Sequence, residues 1–360
     1  MSARRIALRG IGVNSPAGAG LAAHEQWWGE GRPSCLGPTG KHAGDPYMAA
    51  TQSGEVPGWR ARNHVPDRKS IKLMFPRVQL GIGAALEAWD ADGWTEDDAP
   101  EPPERRAMYA ACGLTVDEDW TFRDAVHAGA VDGRFDMVRF GQEGQGLLNP
   151  LWLVKGLSNN VLAFVARYRT ITGPNDNFMA GAVGGFHALD AAVGELEAGR
   201  ADRALAGTSD SLVTIEDSLA FARDGALAAG LVPSQGAGFA LLTPGEPGDF
   251  GILAVGTGFH AGRAEAPWQL PPGTSEALDA LAQETRGDLV PALRIRGPRL
   301  ADAGDIDLWT PLGDPGAAAS GWMLAAAWLA RTVDRVHGPI ELAVADPTGE
   351  LAVVILGTLP

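Results

Sequence analysis

The sequence contains few cysteines. Cys35 and Cys112 are the only two in 360 residues. Two cysteines are too few for a disulfide framework or a zinc-binding set, and the seven histidines are scattered without metal-ligand spacing. Cys112 is embedded in an apolar run, where a buried, inert thiol is the usual outcome. We therefore expect no metal, no disulfide framework and a reduced, cytoplasmic compartment.

Long apolar runs are also absent. No run reaches the roughly 18 residues from which a membrane-spanning helix is built. The N-terminus passes directly into a strand-like pattern and lacks the apolar core of a signal peptide. After that pattern, Gly10 and Gly12 are not followed in register by the third glycine of a dinucleotide-binding loop. We expect neither a membrane partner nor a cofactor.

Positive charge is in short supply. Lysine and arginine number 29 against 44 aspartates and glutamates, which gives a formal net charge of -15. Nucleic acids and anionic membranes both require a basic surface. The charge balance therefore argues against both as partners, and otherwise indicates good solubility.

The hydrophobic residues are periodic, and they make up 45% of the chain, which is ample for a core. Gly236 and Gly238 predict the close approach of another backbone. Because most strand patterns are continuously apolar, we expect a largely parallel sheet covered by helices on both faces. Strands are predicted at 5–13, 106–116, 201–207, 231–242, 251–258, 306–309, 341–345 and 351–356, and helices at 21–28, 67–89, 120–128, 151–169, 186–198, 275–283 and 315–332.

A sequence pattern that occurs twice in the chain suggests an internal duplication. The pattern of 251–258 (GILAVGTG) repeats that of 6–12 (IALRGIG). Two similar halves, 1–250 and 251–360, favour an α/β fold with five layers in the order α/β/α/β/α.

The segment 173–185 (GPNDNFMAGAVGG) has the pattern of a strand that enters a small-residue turn and then a helix. Enzymes often place a nucleophile at such a turn, because the helix N-terminus lowers a thiol pKa and its N–H groups stabilise an oxyanion. Here the turn holds alanine, glycine and valine. The pattern is that of an active site without its nucleophile.

Six short blocks follow one another along the chain: 10–18 (GIGVNSPAG), 149–152 (NPLW), 173–175 (GPN), 199–207 (GRADRALAG), 236–242 (GAGFALL) and 313–321 (GDPGAAASG). In order and spacing they resemble the β-ketoacyl synthase family, which has the thiolase fold. The resemblance spans nearly the whole chain and implies a thiolase-like five-layered architecture.

The family's catalytic residues do not carry over. Counting from 173–175, the cysteine position falls on Ala182, the second histidine falls on or near Asp314, and the lysine falls near Trp309. The block with the first histidine has no counterpart before 306, although His260 lies at the start of that interval. Residues 346–350 (DPTGE) stand in place of a glycine-rich gate. Since the chemistry needs a thiolate and two imidazoles, we expect no acyl transfer at this site.

A relative without a nucleophile resembles the chain-length factor of type II polyketide synthases. That resemblance implies a heterodimer with a catalytic ketosynthase, whose chain tunnel this subunit helps to shape. Aromatic systems usually have glutamine at the nucleophile position. Ala182 and the shortened C-terminal part are more similar to the factors of highly reducing, polyene-forming systems.

The resemblance also locates an interface and a tunnel. The dimer strand would comprise Asp176, Asn177, Phe178, Met179 and Ala180. The tunnel floor, or chain-length gate, would comprise Leu114, Trp152 and Phe178. Ordinary core packing is the alternative for each large side chain. Carrier proteins are acidic, so at net charge -15 we expect the catalytic partner to supply the basic docking patch.

A second hypothesis is a divergent thiolase-fold acyltransferase or hydrolase with a relocated site. Ser209 and Ser211, with His187 and Asp190, would be its candidate residues. No G-x-S-x-G elbow surrounds either serine.

Overall fold

A single large sheet dominates the fold. The computed structural model describes residues 4–40, 42–93, 100–113, 122–300 and 305–360. The sheet contains ten strands. They are β1 (Ile6–Ser15), β2 (Arg106–Cys112), β3 (Asn175–Phe178), β4 (Arg203–Ser211), β5 (Gln235–Pro244), β6 (Phe250–Phe259), β7 (Leu293–Arg296), β8 (Ile340–Ala345), β9 (Glu350–Thr358) and the short strand Gly18–Ala19 beside the end of β1. Two small ribbons pair Gly37–Pro38 with Gln52–Ser53 and Ala130–Val131 with Arg134–Phe135.

The sheet is mixed, so the prediction of a largely parallel sheet is wrong. Its strand order is β7-β8-β9-β6-β1-β5-β4-β2-β3. Only the pairs β2–β3, β2–β4 and β7–β8 are parallel in the described part of this order. A short connection accounts for the antiparallel pairing of β8 with β9, because a few residues join only antiparallel strands. The turn between β8 and β9 joins the strands predicted at 341–345 and 351–356 into an antiparallel hairpin.

Seven helices of nine or more residues are described, with shorter helical segments between them. The long helices are α1 (Leu21–Gly29), α2 (Pro76–Asp90), α3 (Asn160–Tyr168), α4 (Gly184–Glu197), α5 (Ile215–Arg223), α6 (Thr274–Arg286) and α7 (Ala319–Thr332). The short ones are Arg123–Ala128, Met137–Arg139, Trp152–Lys155 and Trp309–Leu312, the 3₁₀ turns Ala61–Asn63, Ser70–Leu73, Pro103–Arg105, Gln145–Leu147, Gly181–Val183 and Gly316–Ala318, and the π turn Phe140–Gly144.

Helices cover both faces of the sheet. Helix α2 packs on β1, β4 and β5, and α6 packs on β6, β8 and β9. Helices α4 and α7 pack together inside, where α4 touches both β4 and β9, and α7 touches both β5 and β8. Gly238 permits the approach of α7, because a Cβ atom there would lie 2.4 Å from the carbonyl oxygen of Gly321. The close approach predicted for this glycine is thereby confirmed.

Two predicted helices are shorter than expected. The helix predicted at 67–89 begins only at Pro76, which occupies a first-turn position where proline's missing N–H is no loss. The helix predicted at 151–169 is interrupted after Lys155. The Asn160 side chain there donates to the Val154 and Lys155 carbonyls, which satisfies the end of the first segment.

Residues 306–309 were predicted as a strand, and this is also wrong. A helical turn, Trp309–Leu312, begins there instead. The Asp307 carboxylate accepts from the backbone N–H groups of Trp309 and Thr310, at 2.8 and 3.1 Å, and so favours a turn over a strand.

No helix in the described ranges is both long and apolar enough to span a bilayer.

Candidate functional site

The turn between β3 and α4 keeps the backbone of a nucleophile elbow. Strand β3 ends at Phe178, a 3₁₀ turn covers Gly181–Val183, and α4 begins at Gly184. Gly181 has φ +49°, and a Cβ atom there would lie 2.9 Å from an Asp346 carboxylate oxygen, so glycine is required. The next residue, Ala182, is buried and carries only a methyl group at the position where the resemblance implies a thiol.

A pocket of about 320 Å³ opens at this elbow. It brings together Ala182, Asp314 and Asp346, three positions that the sequence singles out from distant parts of the chain. The lining consists of Cys112, Gly113, Met179, Gly181, Ala182, Asp210, Pro298, Arg299, Asp314, Gly316, Ala317, Asp346 and Pro347.

Asp314 forms an ion pair with Arg299 in this pocket. The Asp314 Oδ2 atom accepts from Arg299 Nε at 3.1 Å and also from Arg299 Nη2. Its Oδ1 atom accepts from the Gly316 backbone N–H at 3.0 Å. Both side chains are largely buried. A guanidinium–carboxylate pair therefore stands where the resemblance implies an imidazole.

Sequence reasoning missed Arg299. Arg299 lies three residues after the end of strand β7 at Arg296. The chain reaches the pocket from there through Gly297 and Pro298. The signal was present but short. Leu293 and Ile295 alternate with arginines over only four residues, which is the shortest run from which a strand is predicted.

Asp210 is a second buried carboxyl group in this pocket. Sequence reasoning identified Asp314 but missed Asp210. It lies near the end of β4, where Oδ2 accepts from the Ala317 N–H at 2.9 Å and Oδ1 from the Ser211 N–H at 2.8 Å. Burial raises the pKa of Asp210. Gly113 must be glycine here, because a Cβ atom would lie 1.9 Å from the Asp210 carboxylate.

The turn between β8 and β9 contributes Asp346 and Pro347 to the pocket wall. Asp346 Oδ1 accepts from the backbone N–H of Thr348 at 2.8 Å and from the Thr348 hydroxyl group. Gly349 closes the turn at φ +98°. The turn is thus held by its own hydrogen bonds and adds a third carboxyl group.

The described lining offers carboxyl groups and a guanidinium, and none of its residues is a histidine. His260 bonds the Pro272 carbonyl at 2.8 Å instead. The thiol in the lining is Cys112, which is 2% exposed and whose sulfur lies 3.8 Å from Ser209 Oγ. These groups can hold backbone and charge in place, but they do not supply an imidazole pair beside a thiolate.

Two of the three predicted tunnel residues have an aromatic neighbour. Trp152 is half-buried and packs edge-on against Phe122, with ring centroids 4.8 Å apart. Phe178 is half-buried and faces the His187 ring at 6.3 Å. Leu114 lies outside the described residues.

The predicted dimer strand is the outermost strand of the sheet. In the described chain β3 pairs only with β2, so its other edge is open. Asp176 is exposed, Asn177 and Ala180 are half-buried, and Met179 is 58% exposed. The Asn177 side chain donates to Ser158 Oγ at 3.2 Å, which ties β3 to the segment that follows Trp152.

That segment belongs to an apolar surface. Between 126 and 157 a set of large hydrophobic side chains points into solvent, and we call this set the apolar surface. Its members are Val126, Val131, Phe135, Met137, Val138, Leu147, Leu151, Leu153, Val154 and Leu157. Such a concentration of exposed apolar side chains is typical of a protein–protein interface.

The residues of the alternative hydrolase set have separate partners. His187 Nε2 lies 3.2 Å from Glu350 Oε2, and burial raises the pKa of the nearby Asp190. Ser209 is fully buried beside Cys112, and Ser211 Oγ donates to the Gln235 side chain at 3.3 Å. The structure gives neither serine a hydrogen bond to His187 among the contacts of the described residues.

The sequence matches the model for the N-terminal domain of β-ketoacyl synthases over residues 3–247. This match covers more than half of the chain, and the chain belongs to the β-ketoacyl synthase family.

Three solved structures share the fold. The ishigamide ketosynthase/chain length factor has a TM-score of 0.75 at 19% identity, with 99% of this chain and 100% of that chain covered. AntDE:AntF, a type II polyketide synthase acyl-carrier protein in complex with its ketosynthase bound to the hexaketide, has a TM-score of 0.77 at 15% identity and the same coverage. A β-ketoacyl synthase from Burkholderia phymatum STM815 has a TM-score of 0.74 at 15% identity, again with the same coverage. The likeness establishes a mixed α/β, ketosynthase-like fold.

Proposed function

We propose that this chain is a non-catalytic chain-length factor that pairs with a catalytic ketosynthase and shapes the tunnel for the growing polyketide. One observation carries the proposal. A strand, a small-residue turn and a helix follow one another at the elbow, with Ala182 where the resemblance implies a nucleophile and the Arg299–Asp314 ion pair at or near the position where it implies an imidazole. Losing a single catalytic group typically costs ~10²–10⁶-fold in rate. The ketosynthase-like fold is retained although the thiol and both imidazoles are absent from the described site. We therefore assign the fold a role in binding the partner subunit and the polyketide chain.

Heterodimer formation is supported by the open edge of β3 and the apolar surface. An open strand edge offers unpaired backbone groups to a partner strand. Stable interfaces bury about 1,600 Å² in total, and obligate ones are more apolar. The apolar surface and Met179 supply side chains suited to the hydrophobic core of such an interface.

The finer features belong to the same proposal. Ala182 and the short C-terminal part favour a highly reducing, polyene-forming system. The five-layered arrangement with duplicated halves at 1–250 and 251–360 is consistent with the interior position of α4 and α7. The acyl carrier protein would reach the chain as part of the assembled complex.

Coexpression tests the proposal directly. With a type II ketosynthase that keeps its cysteine and histidines, the chain should purify as a stable heterodimer. Expressed alone it should aggregate, because the apolar surface stays uncovered. Leu153→Arg should abolish copurification, whereas Val290→Arg, at a residue that is 80% exposed outside the apolar surface, should not.

The opposite outcome favours the alternative enzyme. A soluble, monomeric chain that hydrolyses or transfers acyl thioesters, and loses this activity in His187→Ala, would refute the chain-length-factor role. The contact between His187 and Glu350 is the structural observation on which this alternative rests.

A further inference from the structure

His187 lies against Phe178, one of the proposed floor residues of the tunnel. It is the fourth residue of α4, and its ring faces the Phe178 ring with centroids 6.3 Å apart and 26° between the ring planes. Aromatic rings attract one another at centroid separations of about 4.5–7 Å. The contact joins the first turn of α4 to the end of β3.

The His187 ring is held in turn by the first residue of β9. Its Nε2 atom lies 3.2 Å from Glu350 Oε2, and because a carboxylate only accepts, Nε2 carries the proton and is the donor. The two side chains are partly shielded, at 26% and 38% exposure. A fixed partner at one ring nitrogen limits the rotation of the imidazole, so Glu350 sets the orientation of the ring that Phe178 meets.

Phe178 depends on such support because of its place in the sheet. Strand β3 has four residues and is the outermost strand of the described sheet, and the residue opposite Phe178 on β2 is Ala111. Cross-strand neighbours stabilise a strand through their side chains, and a single methyl group gives a phenyl ring little to pack on. The Phe178 ring packs instead on the core that contains α4, where His187 faces it. Its position is therefore set by contacts between elements.

Resting on the chain-length-factor role, we propose that His187 is a positioning residue that determines the length of the product. Held by Glu350, it fixes the Phe178 ring in the place where that ring limits the tunnel. We call the three side chains of Glu350, His187 and Phe178 the floor support. When a link of the floor support is removed, the Phe178 ring turns aside and the growing chain gains room.

Glu350 is the most informative residue to change. Its side chain bonds His187 and has no other hydrogen bond in the ranges that the structure describes. It also lies outside the proposed floor set of Leu114, Trp152 and Phe178. A change of product length in a Glu350 variant therefore reports the position of the Phe178 ring and not the removal of a floor side chain.

The test measures, by mass spectrometry, the polyketides that the reconstituted heterodimer releases. Glu350→Ala should raise the ratio of longer product to parent product about twofold to tenfold, the factor that one aromatic contact is worth. Glu350→Gln should keep the parent ratio, because its amide oxygen still accepts from His187. The matched control is Glu195→Ala, which breaks the ion pair with Arg200 about two turns further along α4 and should not alter the products.

A second measurement decides whether the effect passes through Phe178. In a Phe178→Ala background the floor ring is gone, so adding Glu350→Ala should leave the product ratio where Phe178→Ala alone puts it. His187→Ala removes the stacking partner itself and should lengthen the product in the same direction as Glu350→Ala. It also serves as the second variant should Glu350→Ala fail to fold.

Unchanged products in both Glu350→Ala and His187→Ala would overturn the inference, as would an equal effect of Glu350→Ala with and without the Phe178 ring. An unaltered product in Phe178→Ala would overturn it as well, because the floor support acts on that ring. A heterodimer that still assembles and releases product keeps the chain-length-factor role in each of these cases. Failure of the unmodified heterodimer to assemble, measured by light scattering on the same samples, refutes the proposed function and this inference with it.

Discussion

Asp314 and Arg299 form an ion pair in the wall of the pocket at the elbow. The ion pair is largely enclosed, and Gly316 adds a backbone hydrogen bond to the carboxylate. A buried pair is costly to break because the remaining partner keeps an uncompensated charge, whereas replacing both partners by apolar groups is often neutral.

We predict that Asp314→Asn lowers the free energy of unfolding by about 3 kcal/mol, since it leaves the Arg299 guanidinium without its counter-charge. The double variant Arg299→Met with Asp314→Leu should recover most of this loss. Urea unfolding measures both values. Glu143→Gln, which breaks the exposed Arg139–Glu143 pair, is the control and should change the midpoint very little. Equal losses in the single and double variants would contradict the prediction.

His24 provides a second prediction at the residue scale. A carbonyl oxygen only accepts, so His24 Nδ1 donates to the Gly20 carbonyl at 2.8 Å and Nε2 accepts from the Ser15 hydroxyl at 2.7 Å. Burial lowers the pKa of His24 from 6.5 to about 4. The unfolded chain therefore binds this proton at a higher pH than the folded chain does.

Stability should fall as the pH drops from about 6.5 towards 4, by as much as about 3 kcal/mol from this group alone. Denaturant unfolding across that range measures the effect. His24→Gln cannot take up the proton, so its curve should be flatter than that of the unmodified protein. If the free energy of unfolding of the two proteins falls in parallel as the pH drops, protonation of His24 is not the cause of the loss of stability in acid.

At the scale of elements, glycines set the distance between the sheet and its inner helices. Gly238 on β5 and Gly321 on α7 meet backbone to backbone. The sequence pattern did predict a close approach at Gly238, because a glycine inside an apolar strand has few other uses. It did not identify the partner, because the crossing of α7 over β5 depends on the whole sheet.

We predict that Gly238→Ala destabilises the protein strongly, by more than about 3 kcal/mol, because the new methyl group would overlap the Gly321 carbonyl. Gly194→Ala on α4 is the matched control. No atom lies within 4 Å of its added Cβ atom, so this substitution should stabilise the helix by about 0.5–1 kcal/mol. Urea unfolding of both variants checks the contrast, which a mild effect at Gly238 would refute.

Other elements show where local patterns mislead. Pro76 lies inside the helix predicted at 67–89, yet in the structure the helix begins at this residue. An apolar pattern continues through Ile71 and Met74, but a 3₁₀ turn precedes Pro76. The same 3.6-residue pattern therefore suits both a helix and a buried turn.

At the scale of the whole molecule, the tunnel hypothesis depends on residues from separate elements. Phe178 ends the edge strand, Trp152 opens a short helix, and Asn177 joins the two segments through Ser158. A tunnel between subunits would pass near this junction.

We predict that Phe178→Ala and Trp152→Ala, measured in the reconstituted heterodimer, lengthen the polyketide product, since a smaller floor residue leaves more room for the chain. Leu114→Ala completes the series. Phe259→Ala, at a side chain that is 66% exposed on β6, is the control and should leave the product unchanged. Mass spectrometry of the released products measures chain length. Unchanged products in all three variants would mean that the tunnel lies elsewhere.

The sequence by itself determined the order of most strands and helices and the absence of a nucleophile at Ala182, because both are local properties of a short stretch of chain. The tertiary structure alone decided the antiparallel pairings at the centre of the sheet, the meeting of Arg299 with Asp314, and the open edge of β3 beside the apolar surface. These features join residues far apart in the chain. Strand pairing is made by backbone hydrogen bonds, which side-chain periodicity does not record. The turn identified from the sequence as an elbow without a nucleophile forms, in the structure, part of the wall of a pocket that a buried ion pair also lines.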